Sequence, residues 1–74
     1  SMIVEPEDII PGYYLLAGMI VYAWGEYMSF EEWEGLHVEY VTRQDPENEQ
    51  YMSTDEFSTK AEPVAYYSTG DGVF

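Results

Sequence analysis

The run Leu36-His37-Val38-Glu39-Tyr40-Val41-Thr42-Arg43 alternates apolar and polar residues at its start. That is the period of a half-buried strand, whose successive side chains point to opposite faces. Leu36, Val38 and Tyr40 therefore share one face, and His37, Glu39 and Val41 the other. Acidic residues crowd both flanks: residues 26–49 hold eight of the chain's 15 acids and a single base, Arg43. The pattern predicts a strand carried in a dense carboxylate setting.

The remaining chain is cut into short pieces. Pro11-Gly12 stops any helix, because Pro lacks a donor and Gly permits a turn. Tyr13-Tyr14-Leu15-Leu16 and Met19 to Trp24 read as strands rich in aromatic and β-branched residues. Ala17-Gly18 between them fits a bend, a bulge or the tip of a tight hairpin. A helix over Tyr14–Trp24 is the competitor, but it would carry Gly18 inside at about 1 kcal/mol and lacks a cap. Ser29-Phe30-Glu31-Glu32 has the Ser-x-x-Glu form of a capping box and predicts a short helical turn through Trp33, ended by Gly35. Asp45-Pro46-Glu47-Asn48 is turn chemistry. Glu49-Gln50-Tyr51-Met52 reads as a short strand. Ser53-Thr54-Asp55-Glu56 is a second capping box, expected to make one turn and drop Phe57 into the core. Glu62-Pro63 reads as a break, Val64 to Ser68 as a last strand, and Val73-Phe74 as a frayed end.

About five short strands, two brief helical turns and no long helix predict an all-β or β-rich fold. Two forms fit: a small SH3-like or OB-like partly open barrel, or a strongly bent antiparallel sheet with one or two short helical turns. The 74 residues suffice for one domain, spanning 1–74, with no repeat or linker. Ser1-Met2 reads as a cloning remnant followed by the native start. A chain of this size buries only about 60% of its unfolded surface, and without Cys it has no disulfide staple. Eight Tyr, three Phe and two Trp supply the bulk instead, since each aromatic buries about 150–250 Å². The longest apolar run, Tyr13 to Trp24, is too short to span a bilayer as a helix. No signal-peptide pattern follows the start, so a soluble, cytoplasmic protein is expected.

Catalytic motifs are missing. There is one His, one Lys and one Arg, no Cys, no nucleophile elbow and no phosphate-cradling loop. Close carboxylate pairs such as Glu31/Glu32 or Asp55/Glu56 are inevitable with so many acids. Asp45, Glu47, Glu49 and Glu56 fall at positions 1, 3, 5 and 12 of an EF-hand-like frame. Position 6 is Gln50, however, where that loop needs Gly, and the flanks read as strands. No metal, no cofactor and no enzymatic activity are expected.

The charge is the outstanding property: 15 acids against two bases give −13. Direct nucleic-acid binding is not expected, because it draws on Lys and Arg to release counterions and the chain has two. No membrane contact is expected. A basic protein partner is, in particular a nucleic-acid-binding protein whose groove an acidic surface can occupy. Carboxylates on alternate residues of an extended segment stand about 6.6 Å apart, near two base steps of one DNA strand. Asp45, Glu47 and Glu49 fit that spacing if extended, and Glu31, Glu32, Glu34 and Glu39 add to the anionic surface. In this the chain resembles, as a functional class, the acidic DNA-mimicking inhibitors that phages and mobile elements deploy against nucleases, restriction enzymes and repair enzymes. The alternative is a protein–protein interaction module using a Tyr-rich strand edge, with Tyr13, Tyr14, Tyr66 and Tyr67 as contacts. Either a monomer or a homodimer is compatible with the sequence.

Overall fold

The structure, a computed structural model, describes residues 9–30, 33–65 and 74. Five strands appear in chain order: β1 (Gly12–Leu16), β2 (Met19–Phe30), β3 (Trp33–Thr42), β4 (Gln50–Ser53) and β5 (Ala61–Pro63). One helix, α1 (Thr54–Lys60), joins the last two. All pairings are antiparallel, in one sheet of order β4-β3-β2-β1-β5.

The sheet is open and bent, the second of the two expected forms. In a flat sheet, four interstrand steps of about 4.8 Å would hold β4 and β5 about 19 Å apart. The helix joins them directly, Ser53 ending β4 and Ala61 beginning β5. Its seven residues reach only about 10 Å. The sheet must therefore curl toward the helix for the connection to close. Phe57, the buried residue of α1, projects into the concave side.

That side is the core. Cross-strand partners share a face, so the register places Tyr14 and Leu16, Val21 and Ala23, Leu36, Val38 and Tyr40, and Met52 together. Val21, Ala23 and Val38 are fully buried, and Ile9, Leu16 and Phe57 nearly so. Each such valine contributes about 1.5–3 kcal/mol of transfer free energy. Tyr14 packs edge-to-face on Phe57 at 4.9 Å, and its hydroxyl donates to the Ile10 carbonyl at 2.6 Å. Burial pushes the Tyr14 pKa up.

Local chemistry explains the ends of α1. Ser53 adopts an extended conformation, and its hydroxyl accepts from the Glu56 amide at 3.1 Å. Asp55 and Glu56 lie in the first turn and Lys60 in the last, as the helix dipole favours. The expected single turn extends to seven residues.

Three expectations are corrected. The Ser29 capping box does not open a helix: Ser29 and Phe30 end β2, Trp33 begins β3, and Phe30 pairs with Trp33. Only Glu31 and Glu32, outside the described residues, stand between. One cap contributes about 1 kcal/mol and nucleating so short a helix is unfavourable. Extending the hairpin adds the pairs Met28↔Gly35, Ser29↔Glu34 and Phe30↔Trp33. Next, the last described strand is not Val64–Ser68 but Ala61–Pro63, so Glu62-Pro63 is no break. Pro63 is tolerated because, among the described residues, β5 is an edge. The Val64 amide still donates to the Tyr13 carbonyl at 2.9 Å; residues 66–68 lie outside the described set. Finally, Phe74 packs edge-to-face on Tyr13 at 5.7 Å and is not frayed.

Ala17-Gly18 is a hairpin tip, with Leu16 paired to Met19. Both residues have positive φ, 51° and 79°, as the tightest hairpins require. Gly18 adopts this freely, whereas Ala17 is strained by about 1–2 kcal/mol. Replacing Ala17 with Asn is expected to stabilise the fold by about 0.5–1 kcal/mol, raising Tm by several degrees. An unchanged or lower Tm would show that the turn relaxes to another geometry in solution.

Candidate functional site

The face of the sheet turned away from α1 carries a second set of large side chains. Alternation places Tyr13 of β1, Tyr22, Trp24 and Glu26 of β2, His37, Glu39 and Val41 of β3, and Tyr51 of β4 on it. Tyr13 meets Tyr22 edge-to-face at 5.2 Å, and Tyr22 lies 5.9 Å from Trp24 at a 43° tilt. With Phe74 on Tyr13, four rings form a continuous row. Val41 is buried beneath this layer at 5% exposure.

Glu39 sits where the aromatic row meets the acids. Trp24 and Tyr51 are its register partners on either side. Both hydrogen-bond its carboxylate, the indole N–H and the phenol O–H donating. The residue is only 8% exposed. Burial pushes its pKa up, and the negative charges of Glu49 and Glu26 push it the same way; the two hydrogen bonds act in the opposite direction. The Glu39 charge in turn is the main cause that raises Tyr51. Glu26 of β2 and Glu49, just before β4, thus act on Glu39 of β3.

Beside them lies an open hollow of about 540 Å³. Tyr22, Trp24 and Val41 line it from the sheet, Pro11 and Pro46 from the flanking loops, and Glu49 contributes a carboxylate. A smaller hollow of about 250 Å³, near the β1–β2 tip, is lined by Met19, Ile20, Thr42, Arg43 and Gln44.

The acids expected to form a display surface are distributed unevenly. Asp45, Glu47 and Glu49 are exposed. They are not extended, however: the Asn48 amide donates to the Asp45 carbonyl at 3.2 Å, and the Asp45 amide to both Thr42 oxygens at 3.2–3.3 Å. The alternate-residue spacing of an extended strand therefore does not apply: Asp45 and Glu47 belong to a folded turn, and Glu49 follows it just before β4. Glu39 is not a surface residue, because aromatic side chains cover the face that period alone would leave to solvent. Glu34 lies in β3 opposite Ser29, its side chain outside the described set, as are Glu31 and Glu32. The Tyr-edge contacts are also redistributed. β1 runs between β2 and β5, so Tyr13 and Tyr14 belong to an interior strand and pack on opposite faces. Tyr66 and Tyr67 lie outside the described residues.

The EF-hand-like frame is broken by β4 and α1: Glu49 precedes a strand and Glu56 lies in the helix. Among the described residues no three His, Asp or Glu side chains converge to hold a metal ion. No described helix is long and apolar enough to cross a membrane. Tyr22, Trp24, Pro11 and Pro46 were not expected as site residues. Their one readable signal is Tyr22 and Trp24, two aromatics at a strand's period of two, set against a core too small for every ring in the chain.

Fold and site together define a small open antiparallel sheet, closed on its concave face by one helix and carrying an acid-flanked aromatic layer on the other. Comparison with family models, with curated proteins and with solved structures finds no match.

Proposed function

We propose that the chain is a non-enzymatic acidic binding protein that inhibits or sequesters a nucleic-acid-binding protein by occupying its basic groove. The observation behind this reading is a charge of −13 on 74 residues, far beyond the magnitude of about 2–8 that solubility asks of a small domain. Little of it is neutralised internally. Of the two bases, Lys60 is paired with Glu56 at 3.6 Å on the exposed side of α1, and Arg43 is exposed. Self-repulsion of this size destabilises the compact state, so a role for the charge accounts for its retention. The anionic surface of this reading comprises Asp45 and Glu47 on their turn, Glu49 just after it, and, from the sequence between β2 and β3 onward, Glu31, Glu32 and Glu34. Glu39 adds to the field from beneath.

The test uses partners captured from lysate and two charge variants, one with Glu31, Glu32 and Glu34 changed to Gln, the other with Asp45→Asn and Glu47→Gln. Charge-driven association is fast and steeply salt-dependent. At least one variant is expected to lose tenfold in affinity, about 1.4 kcal/mol, and duplex DNA is expected to displace the wild type. Normal binding by both variants, with no competition from DNA, would rule the reading out.

A further inference from the structure

The hollow between β2, β3 and the Pro46 loop has a chemistry of its own. Trp24 offers an aromatic ring to it, and the indole N–H is committed to the Glu39 carboxylate. That bond orients the ring, and Tyr22 is tilted against it at 5.9 Å. Pro11, Pro46 and Val41 provide apolar walls, and Glu49 supplies an exposed carboxylate at the rim. The charges that act on Glu39 come from Glu49 and Glu26, both negative. The bases lie elsewhere, Lys60 on Glu56 and Arg43 in the smaller hollow. The result is a stiff aromatic surface in a strongly negative potential.

We propose that this hollow binds a guanidinium group: it receives an arginine side chain of a protein partner, stacked on Trp24 and paired with Glu49. This deepens the reading above, and rests on it for the kind of protein that supplies the arginine. The preference follows from chemistry. Tryptophan is the best ring for a cation held over its face. A guanidinium is planar, stacks on aromatic rings, pairs bidentately with carboxylates and loses water more readily than an ammonium. An ammonium is a compact, strongly hydrated point charge that gains less from an apolar wall. Basic grooves that hold nucleic acid are rich in such arginines, so one of them entering the hollow would anchor an otherwise diffuse electrostatic contact.

The experiment is a titration of the whole chain with three short peptides that differ at one position, arginine, lysine or citrulline. The last keeps the shape of arginine and removes its charge. Binding is followed by the NMR signal of the Trp24 indole N–H, assigned with Trp24→Phe. The arginine peptide is expected to shift that signal and to bind about tenfold more tightly than the citrulline peptide, and more tightly than the lysine peptide. Trp24→Leu, followed by the backbone amide signals of Glu39 and Glu49 in place of the indole, is expected to abolish the preference. Glu49→Gln, at an exposed position where folding is not at stake, is expected to reduce the arginine-to-citrulline ratio at least threefold. The proposal is overturned if citrulline or lysine matches arginine, or if Glu49→Gln leaves the ratio unchanged. It is equally overturned if only the amides of Asp45 and Glu47 respond while Trp24 does not. The titration requires no nucleic-acid-binding protein. Mimicry can therefore fail, with DNA not competing for a captured partner, while the hollow still selects arginine, and the reverse result is equally distinguishable.

Discussion

Phe57→Ala is expected to leave the chain largely unfolded, or within a few kcal/mol of it, under ambient conditions. Removing a buried phenylalanine costs about 3–5 kcal/mol. Folded domains hold about 0.05–0.15 kcal/mol per residue, about 4–11 kcal/mol for a chain of 74. One substitution thus takes about a quarter or more of the total. Phe57 is 3% exposed and is the buried residue of α1. A seven-residue helix is too short to persist without tertiary packing, so its attachment to the sheet rests on this side chain. The effect extends beyond lost contacts. The helix links the two sheet edges, and when it detaches, β4 and β5 lose what holds the sheet bent. Ser58→Ala, at an exposed position of the same helix, is the control and is expected to fall within about 0.5 kcal/mol of wild type. Urea unfolding followed by circular dichroism measures both. Similar midpoints for the two variants would mean that α1 is peripheral to stability.

The two capping boxes show where local reading succeeds and where it stops. Ser53-Thr54-Asp55-Glu56 folds as its pattern predicts, since the four-residue β4 ends there and nothing competes for the following backbone. Ser29-Phe30-Glu31-Glu32 has the same Ser-x-x-Glu form but follows a long apolar run whose partner strand lies just ahead. There, cross-strand pairing outweighs the cap. The strand alternation of Leu36 to Val41 is legible for the same reason that Ser53 is: the pattern and its environment agree. The Ala17-Gly18 tip is partly legible, because Gly announces a positive φ and Ala does not.

Strand order is a long-range property, and the candidate site depends on it. Two adjacent tyrosines in a strand do point to opposite faces, as Tyr13 and Tyr14 do, but adjacency does not say whether the strand is an edge. That was decided by Ala61–Pro63, a proline-bearing segment that pairs with β1 and makes it interior. Glu39 illustrates the same limit. Period two correctly sets it opposite Val38, yet it is largely covered because Trp24 and Tyr51 converge on it from neighbouring strands. The abundance of rings was the available warning. Thirteen aromatic residues exceed what a concave core built on Val21, Ala23 and Val38 can hold, so part of them must cover the other face.

Glu39→Gln is expected to stabilise the fold at neutral pH and to flatten its pH dependence. Burial, reinforced by Glu49 and Glu26, holds the Glu39 pKa above its ordinary value. A carboxyl raised in this way binds its proton more tightly folded than unfolded. Stability falls with pH wherever the folded state carries more protons. The contribution of Glu39 is therefore greatest below the ordinary glutamate range, declines as pH rises through its raised value, and is least favourable at neutral pH. Mutual repulsion in a chain of charge −13 acts in the same sense, so wild type is expected to melt higher near pH 5 than at pH 7. Glutamine keeps an acceptor oxygen for Trp24 or Tyr51 and removes the charge. The variant is expected to melt higher than wild type at pH 7 and to show a smaller rise in Tm toward pH 5. Melting both proteins from pH 4.5 to 8 isolates this residue, since the repulsion among the other acids is common to the two. If the glutamine variant is instead less stable at pH 7, the bonds from Trp24 and Tyr51 outweigh the desolvation. If it is more stable, the native chain keeps a carboxylate that weakens its own fold, placed directly behind the ring that faces the hollow, where an arriving cation would offset its cost.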